Sequence, residues 1–163
     1  MKFMYIDDNT DVVIKKFIPR IPDALSRTTG ENNTIPRVCV SPTLDGCLSA
    51  APWQDYVEDF ACEEKPLRVY EFETDKERII PNDVLYRKGW VDDANFTSEY
   101  WILNEIKPTK IYDIILEEVW YDIIAVIPYK YKDVEDYIDN RCGKEFTLSK
   151  YKITNIIFDA KTA

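Results

Sequence analysis

The run KIYDIILEEVWYDIIAVI, residues 110–127, constrains the fold more than any other stretch. Eight of its eighteen residues are Ile or Val and three more are Tyr or Trp. Branched and aromatic side chains lose rotamer freedom on a helix and pack well on a pleated surface, so the run predicts one or two strands. Strands are also predicted at KFMYI (2–6), RVCVS (37–41), PLRVYEFET (66–74) and KITNIIFDA (152–160), with DVVIKKFI (11–18) as a further extended piece. FTSEYWIL (96–103) alternates as a strand does, with Thr97, Glu99, Trp101 and Leu103 pointing one way and Phe96, Ser98, Tyr100 and Ile102 the other.

Helical signals are fewer and short. Ser41-Pro42 reads as an N-cap followed by proline at the first helical position. Leu44, Cys47, Leu48 and Ala51 then recur on one apolar stripe. Gly46 interrupts that helix at a cost of about 1 kcal/mol relative to alanine, which a close backbone approach would explain. Pro52 opens a second helical piece whose face carries Trp53, Val57, Phe60 and Ala61, and a third is expected near Asp83 to Tyr86. DVEDYIDNRCG (133–143) is expected as a compact helix, capped by Asp133 and stopped by Gly143. PRIPDALSRTTGENNTIPR (19–37) is a long loop. The sum is an α+β chain, a β-rich single domain over residues 1–163 with a few short helices.

The totals agree with that class. A chain of 163 residues, 45% hydrophobic and 13% aromatic, is one domain long and can bury roughly 70% of its unfolded surface. No apolar run approaches the ~20 residues that span a bilayer, and MKFMYIDDNT is unlike a signal peptide, so a cytoplasmic protein without a membrane is expected. Thirty acidic against twenty-one basic residues give a net charge of −9. That balance disfavours direct binding to a nucleic-acid backbone. It permits an acidic surface that keeps the protein soluble, or one that docks on a basic macromolecular partner.

The chain has no histidine, which excludes Ser-His-Asp and Cys-His hydrolases and removes the usual general base near pH 7. Cys39, Cys47, Cys62 and Cys142 form no C-x-x-C pair, so no metal site is expected. Cys39 and Cys47 read as small buried hydrophobes. The four tryptophans read as core residues rather than a ligand cage.

Three features bear on chemistry. Glu99 is a carboxylate among aromatics, placed either on an exposed strand edge or in a cleft where it meets a sugar hydroxyl. Ser41 and Thr43 sit where a strand turns into a helix, as caps or as anion contacts. Arg20, held extended between prolines, suits bidentate phosphate recognition, or is an exposed loop residue.

The order of these features resembles the ADP-ribosyltransferase fold. PRVCVSPTLDGCL and VDDANFTSEYWIL also resemble small proteins common in phages and mobile elements. The resemblance spans residues 1–120. It implies a split sheet, NAD as the bound nucleotide and transfer to a host protein or another macromolecule. Its roles fall on Arg20 or Arg37 for the pyrophosphate, Ser41 and Thr43 for the nicotinamide side, Tyr5 or Trp101 for ring stacking, and Glu99 as the catalytic carboxylate. The chain departs from the family in having no histidine, no arginine in KFMYI, and Thr97 where some members carry a second acidic or amide side chain. A non-enzymatic acidic interaction protein on the same or a similar fold, such as a phage-type inhibitor of a host factor, is the alternative.

Overall fold

The computed structural model describes residues 1–22, 31–131 and 141–162. Two antiparallel sheets form the frame. The larger has the order β1-β3-β6-β7, from β1 (Lys2–Asp7), β3 (Leu67–Glu73), β6 (Lys110–Ala125) and β7 (Cys142–Asp159). The smaller has the order β2-β5-β4, from β2 (Val38–Val40), β4 (Ile79–Ile80) and β5 (Tyr100–Ile102). Among the described residues four short α-helices accompany them: α1 (Leu44–Ala50), α2 (Val57–Cys62), α3 (Asn82–Arg87) and α4 (Ala94–Thr97). This is a small α+β architecture. No helix among the described residues is long and apolar enough to cross a membrane.

The two-residue period of the strands sorts the side chains into three layers of core. Ile6, Val69, Tyr112 and Ile114 point from the large sheet onto Leu44 and Leu48 of α1 and Val57 and Phe60 of α2. Phe3, Tyr70, Phe72 and Ile111 point from its other face onto Val38, Val40 and Ile102 of the small sheet, with Phe17 between. The small sheet's opposite face carries Trp101, packed with Leu85, Val91 and Ala94 and flanked by Cys39 and Ile80. β3 is therefore buried on both faces from Leu67 to Phe72. The alternation in PLRVYEFET reflects two apolar layers rather than a wet face.

The large sheet also buries an ion pair. Arg68 and Asp113 face each other across β3 and β6. Arg68 Nε donates to Asp113 Oδ1 at 2.7 Å, Nη2 donates to Oδ2 at 3.1 Å, and Nη1 donates to the Val12 carbonyl at 2.8 Å. That last bond, with the Ile14 amide donating to the Tyr70 hydroxyl at 3.0 Å, holds the segment 11–18 against the face of the large sheet. The segment forms no strand, only a single bridge between Phe17 and Ile106.

Several expectations are corrected. The N-cap of α1 is Thr43, whose Oγ1 accepts from Gly46 N at 3.0 Å, and not Ser41. Ser41 is still extended there, paired with Met4 through both backbone bonds. FTSEYWIL is not one strand. Ala94–Thr97 is helical, Ser98 stops it in the left-handed conformation at φ 55°, and only Tyr100–Ile102 joins a sheet. Backbone bonds from Phe96 and Thr97 to the Asp93 carbonyl outweigh the strand preference of four residues. Asp133 to Asn140 lie outside the described residues, and Gly143 belongs to β7 rather than stopping a helix. β7 begins ten residues before KITNIIFDA because the whole stretch pairs with β6. Trp120 is 57% exposed and is no core residue.

Gly46 marks the close approach that its position suggests. A Cβ there would stand 2.0 Å from Ser41 Oγ and 2.6 Å from the Thr97 carbonyl oxygen. Gly46→Ala should therefore destabilise the protein by about 1–3 kcal/mol, although alanine is the better helix former. Urea denaturation checks the sign. A stabilised variant would mean that α1 and α4 can separate freely.

Candidate functional site

The two sheets meet at one corner and part from there. Met4 of β1 and Ser41, just after β2, exchange backbone bonds at 2.7 and 3.0 Å. Continued pairing would set Tyr5 against Val40 and Ile6 against Cys39, yet all four of these residues line an open cleft of about 880 Å³. That volume lies within the range of small-molecule sites. A second depression, about 600 Å³, is lined by Glu73, Asp75, Arg78 and Glu105 and contains none of the expected site residues.

Four of the seven expected residues reach the cleft: Tyr5, Arg20, Ser41 and Glu99. They come from β1, the proline-flanked segment, the corner after β2, and the junction between α4 and β5. Arg20 is anchored at its backbone, where it exchanges two 3.1 Å bonds with Arg37. Tyr5 packs on Phe17, with ring centroids 5.2 Å apart. Its hydroxyl is pushed up to about 12 by burial and next by the charge of Asp7, while Arg20 acts against the rise. Ser41 is buried and its Oγ donates to the Thr97 carbonyl at 3.3 Å.

Glu99 stands at the inner end. The left-handed turn at Ser98 re-aims the chain so that its carboxylate faces the cleft at 8% exposure. Oε1 accepts from the Trp101 indole Nε1 at 3.0 Å. Burial pushes the carboxyl up to about 7, and the negative charge of Asp93 adds to the rise. The Trp101 indole and the Cys39 thiol, both hydrogen-bonded to it, act in the opposite direction. Burial, and then Glu99 itself, push the Cys39 thiol well above its ordinary value, so this cysteine is a neutral donor rather than a nucleophile. A carboxyl that titrates near neutrality inside a cleft is suited to proton transfer or to stabilising developing positive charge.

Arg37, Thr43 and Trp101 do not line the cleft. Arg37 is 2% exposed. Its guanidinium lies 4.0 Å over the Trp101 ring, and Nη1 donates to the carbonyls of Asn32 at 2.7 Å and Ile35 at 3.1 Å. Nη2 faces Glu31 Oε1 at 3.4 Å. Trp101 also stacks on Trp90 at 5.9 Å. Trp101 thus orients Glu99 through its indole, Arg37 backs the Trp101 ring, and Thr43 caps α1, all three outside the cleft. Lys16, Asp93 and Arg141 line the cleft although nothing in the sequence set them apart. They are charged residues outside regular elements, a pattern shared with most of the surface.

Compared with protein families, with characterised proteins and with solved structures, the chain matches none. Among the described residues no cluster of three or more Cys, Asp or Glu side chains could hold a metal ion.

Proposed function

We propose that the cleft binds NAD and that the protein is an ADP-ribosyltransferase-like enzyme acting on a macromolecule, with Glu99 as the catalytic carboxylate. One observation carries this reading: Tyr5, Arg20, Ser41 and Glu99, from four separate segments, line a single cleft. Arg20, Lys16 and Arg141 are the cationic groups that a diphosphate would meet, in a cleft also lined by Asp7, Asp8, Glu31, Asp93 and Glu99. Tyr5 offers a ring for stacking. NAD as substrate supplies an activated glycosidic bond to nicotinamide. The Glu99 carboxylate accepts from the ribose 2′-hydroxyl and opposes the positive charge that develops on the sugar as that bond breaks.

A thermal shift with NAD⁺ tests the binding. A ligand at 100 times its Kd adds about 2.7 kcal/mol, a shift of several degrees for a domain of this size. The shift should vanish in Arg20→Ala and persist in Thr43→Ala, whose side chain caps a helix outside the cleft. Absence of any shift in the wild type, or its persistence in Arg20→Ala, overturns the reading.

A second reading, a non-enzymatic acidic interaction protein, has its own support. Asp55, Glu58, Asp59, Glu63 and Glu64 are exposed along and beside α2, around a Tyr56 that is 61% exposed. Affinity for a basic partner would then fall steeply with salt and ignore Glu99→Gln.

A further inference from the structure

Three charged residues of the cleft are gathered around the short helix α4. Asp93 precedes it, and its carbonyl accepts from the Phe96 and Thr97 amides at 3.1 Å. Glu99 follows it, after the left-handed turn at Ser98. Arg141 directly precedes β7, and its carbonyl accepts from the Val126 amide at 2.9 Å. Two residues on, Gly143 lies so close to Phe96 of α4 that a Cβ would stand 2.8 Å from the ring's Cζ. The three side chains therefore reach one cleft from the start, the end and the flank of a single helical turn.

Arg141 lacks an acceptor there. Its Nη2 is buried and has no hydrogen-bond partner among the described residues. A guanidinium donor taken out of water without an acceptor is costly, so the site is built for something that supplies one. Asp93 is its neighbour, since the Arg141 charge favours the ionised Asp93 carboxyl against burial, and Asp92 feels the same charge. The charges decide what fits between them. A carboxylate or phosphate accepting from Arg141 would bring its own negative charge against Asp93 and Glu99. An amine donating to Asp93 would bring its positive charge against Arg141. A neutral group with an acceptor beside a donor meets both, and a primary carboxamide is such a group.

We propose that Arg141 and Asp93 form a carboxamide subsite at the α4 end of the cleft. The carbonyl oxygen of the ligand accepts from Arg141 Nη2, and its amide N–H donates to the Asp93 carboxylate. The subsite deepens the NAD reading and rests on it for the occupant. The order of groups along the cleft fits. The charge of Arg20 acts on the Tyr5 hydroxyl, Cys39 neighbours both Tyr5 and Glu99, and Asp93 neighbours Glu99. The cleft thus runs from a cation past the Glu99 carboxylate to the amide site, as NAD runs from diphosphate past ribose to a ring that carries a carboxamide. Arg141 is then taken up by the amide, which leaves the diphosphate to Arg20 and Lys16. An asparagine or glutamine side chain of the macromolecular acceptor carries the same group, and would enter after nicotinamide has left.

Titration of the full chain with three pyridines that differ in one substituent tests the subsite without NAD. Nitrogen-15 spectra, which include the arginine Nε–H signals, follow the binding. Nicotinamide should move the Arg141 Nε–H signal. Nicotinate, an anion, and 3-(aminomethyl)pyridine, a cation near pH 7, should bind about tenfold more weakly or worse. Arg141→Met should weaken nicotinamide about tenfold and relax selectivity toward the amine only. Asp93→Asn should relax it toward nicotinate only. A fold defect would shift all three ligands alike, and circular dichroism would reveal it. N-acetylasparagine methylamide and N-acetylglutamine methylamide distinguish the sources. Tighter binding of nicotinamide assigns the subsite to the leaving group, and tighter binding of either amino-acid amide assigns it to the acceptor. Equal binding of the three pyridines, no binding of any carboxamide, or nicotinamide affinity unchanged in Arg141→Met overturns the proposal. If the NAD⁺ thermal shift is present and lost in Arg20→Ala, such a result removes the subsite alone. Carboxamide binding without an NAD⁺ shift keeps the subsite and removes the NAD reading.

Discussion

Arg68→Ala is expected to destabilise the protein by about 3–5 kcal/mol, the range for removing one partner of a buried ion pair. The reason is what remains behind. Asp113 is 8% exposed, and Arg68 gives it two bonds across the β3–β6 ladder. Without the guanidinium the carboxylate must stay charged in an enclosed place or take up a proton, and the Val12 carbonyl loses the closer of its two donors, keeping only the Tyr70 hydroxyl at 3.4 Å. The segment 11–18, which carries Phe17 between the two sheets, would loosen with it. In a domain of this size the thermal midpoint should fall by about 10 °C. Urea denaturation of Arg68→Ala beside the double variant Arg68→Met/Asp113→Leu separates the two possible causes. Replacing both partners by apolar side chains should recover most of the loss, because the uncompensated charge is then gone. Equal losses in both variants would mean that packing, not charge, is at stake.

Glu99→Gln carries the second large effect, and it should act in opposite directions on activity and on stability. If the cleft turns over NAD, the amide cannot oppose positive charge on the ribose, and turnover should be lost at every pH. In the wild type, turnover should rise through about pH 7, since the ionised form is the working one and the carboxyl titrates there. Stability should move the other way. The carboxyl titrates at about 7 in the folded chain, against an ordinary value of 4.5. Between those two values the folded state holds a proton that the unfolded state has released, so stability falls as pH rises. The contribution is fully present below about pH 4.5 and gone above about pH 7. Its size is on the order of 3 kcal/mol, from a shift of this extent. Glu99→Gln should flatten that slope and leave the protein more stable than wild type at pH 8, because the amide oxygen can still accept from Trp101. Asp93 is also raised by burial and contributes in the same direction, so the difference between wild type and variant, not the wild-type curve alone, isolates Glu99. With no histidine in the chain, few other groups titrate near pH 7. Unchanged turnover would remove Glu99 from catalysis. An unchanged slope would mean that its carboxyl is better solvated than its 8% exposure suggests.

The two halves of that prediction rest on different links. The stability half needs only the burial of Glu99 and its neighbours. The activity half also needs NAD in the cleft. A flattened pH slope with no NAD turnover would keep the geometry and remove the enzymatic reading, turning attention to the exposed acidic face beside α2.

Periodicity and composition were enough for much of this molecule. The strands at KFMYI, RVCVS, PLRVYEFET and 110–125 are where branched and aromatic residues put them, and the stripe Leu44, Cys47, Leu48, Ala51 is buried as its spacing requires. Such patterns are local, and a short apolar segment has few ways to bury its side chains. Gly46 could be read as a close approach because a glycine inside a helix is costly without one. The sequence also singled out Glu99 by its company of aromatics, before its surroundings were known.

What only the tertiary structure decided is where these pieces meet. FTSEYWIL alternates like a strand, yet its first two residues finish α4, because their amides bond back to the Asp93 carbonyl and Ser98 then turns left-handed. That turn, not strand periodicity, aims Glu99 into the cleft. Arg20 and Arg37 look alike in sequence, both beside prolines. Tertiary packing places Arg20 on the cleft and closes Arg37 beneath Trp101 with backbone carbonyls as partners. The outer position of β7 was equally hidden, since KITNIIFDA reads only as a strand, and the strand order decides that no strand among the described residues lies beyond it. Local sequence sets which side chains are apolar and how they alternate. Which surface they are pressed against is a matter of residues far apart in the chain, and it is there that the ionisation of Glu99 and the outer position of β7 are determined.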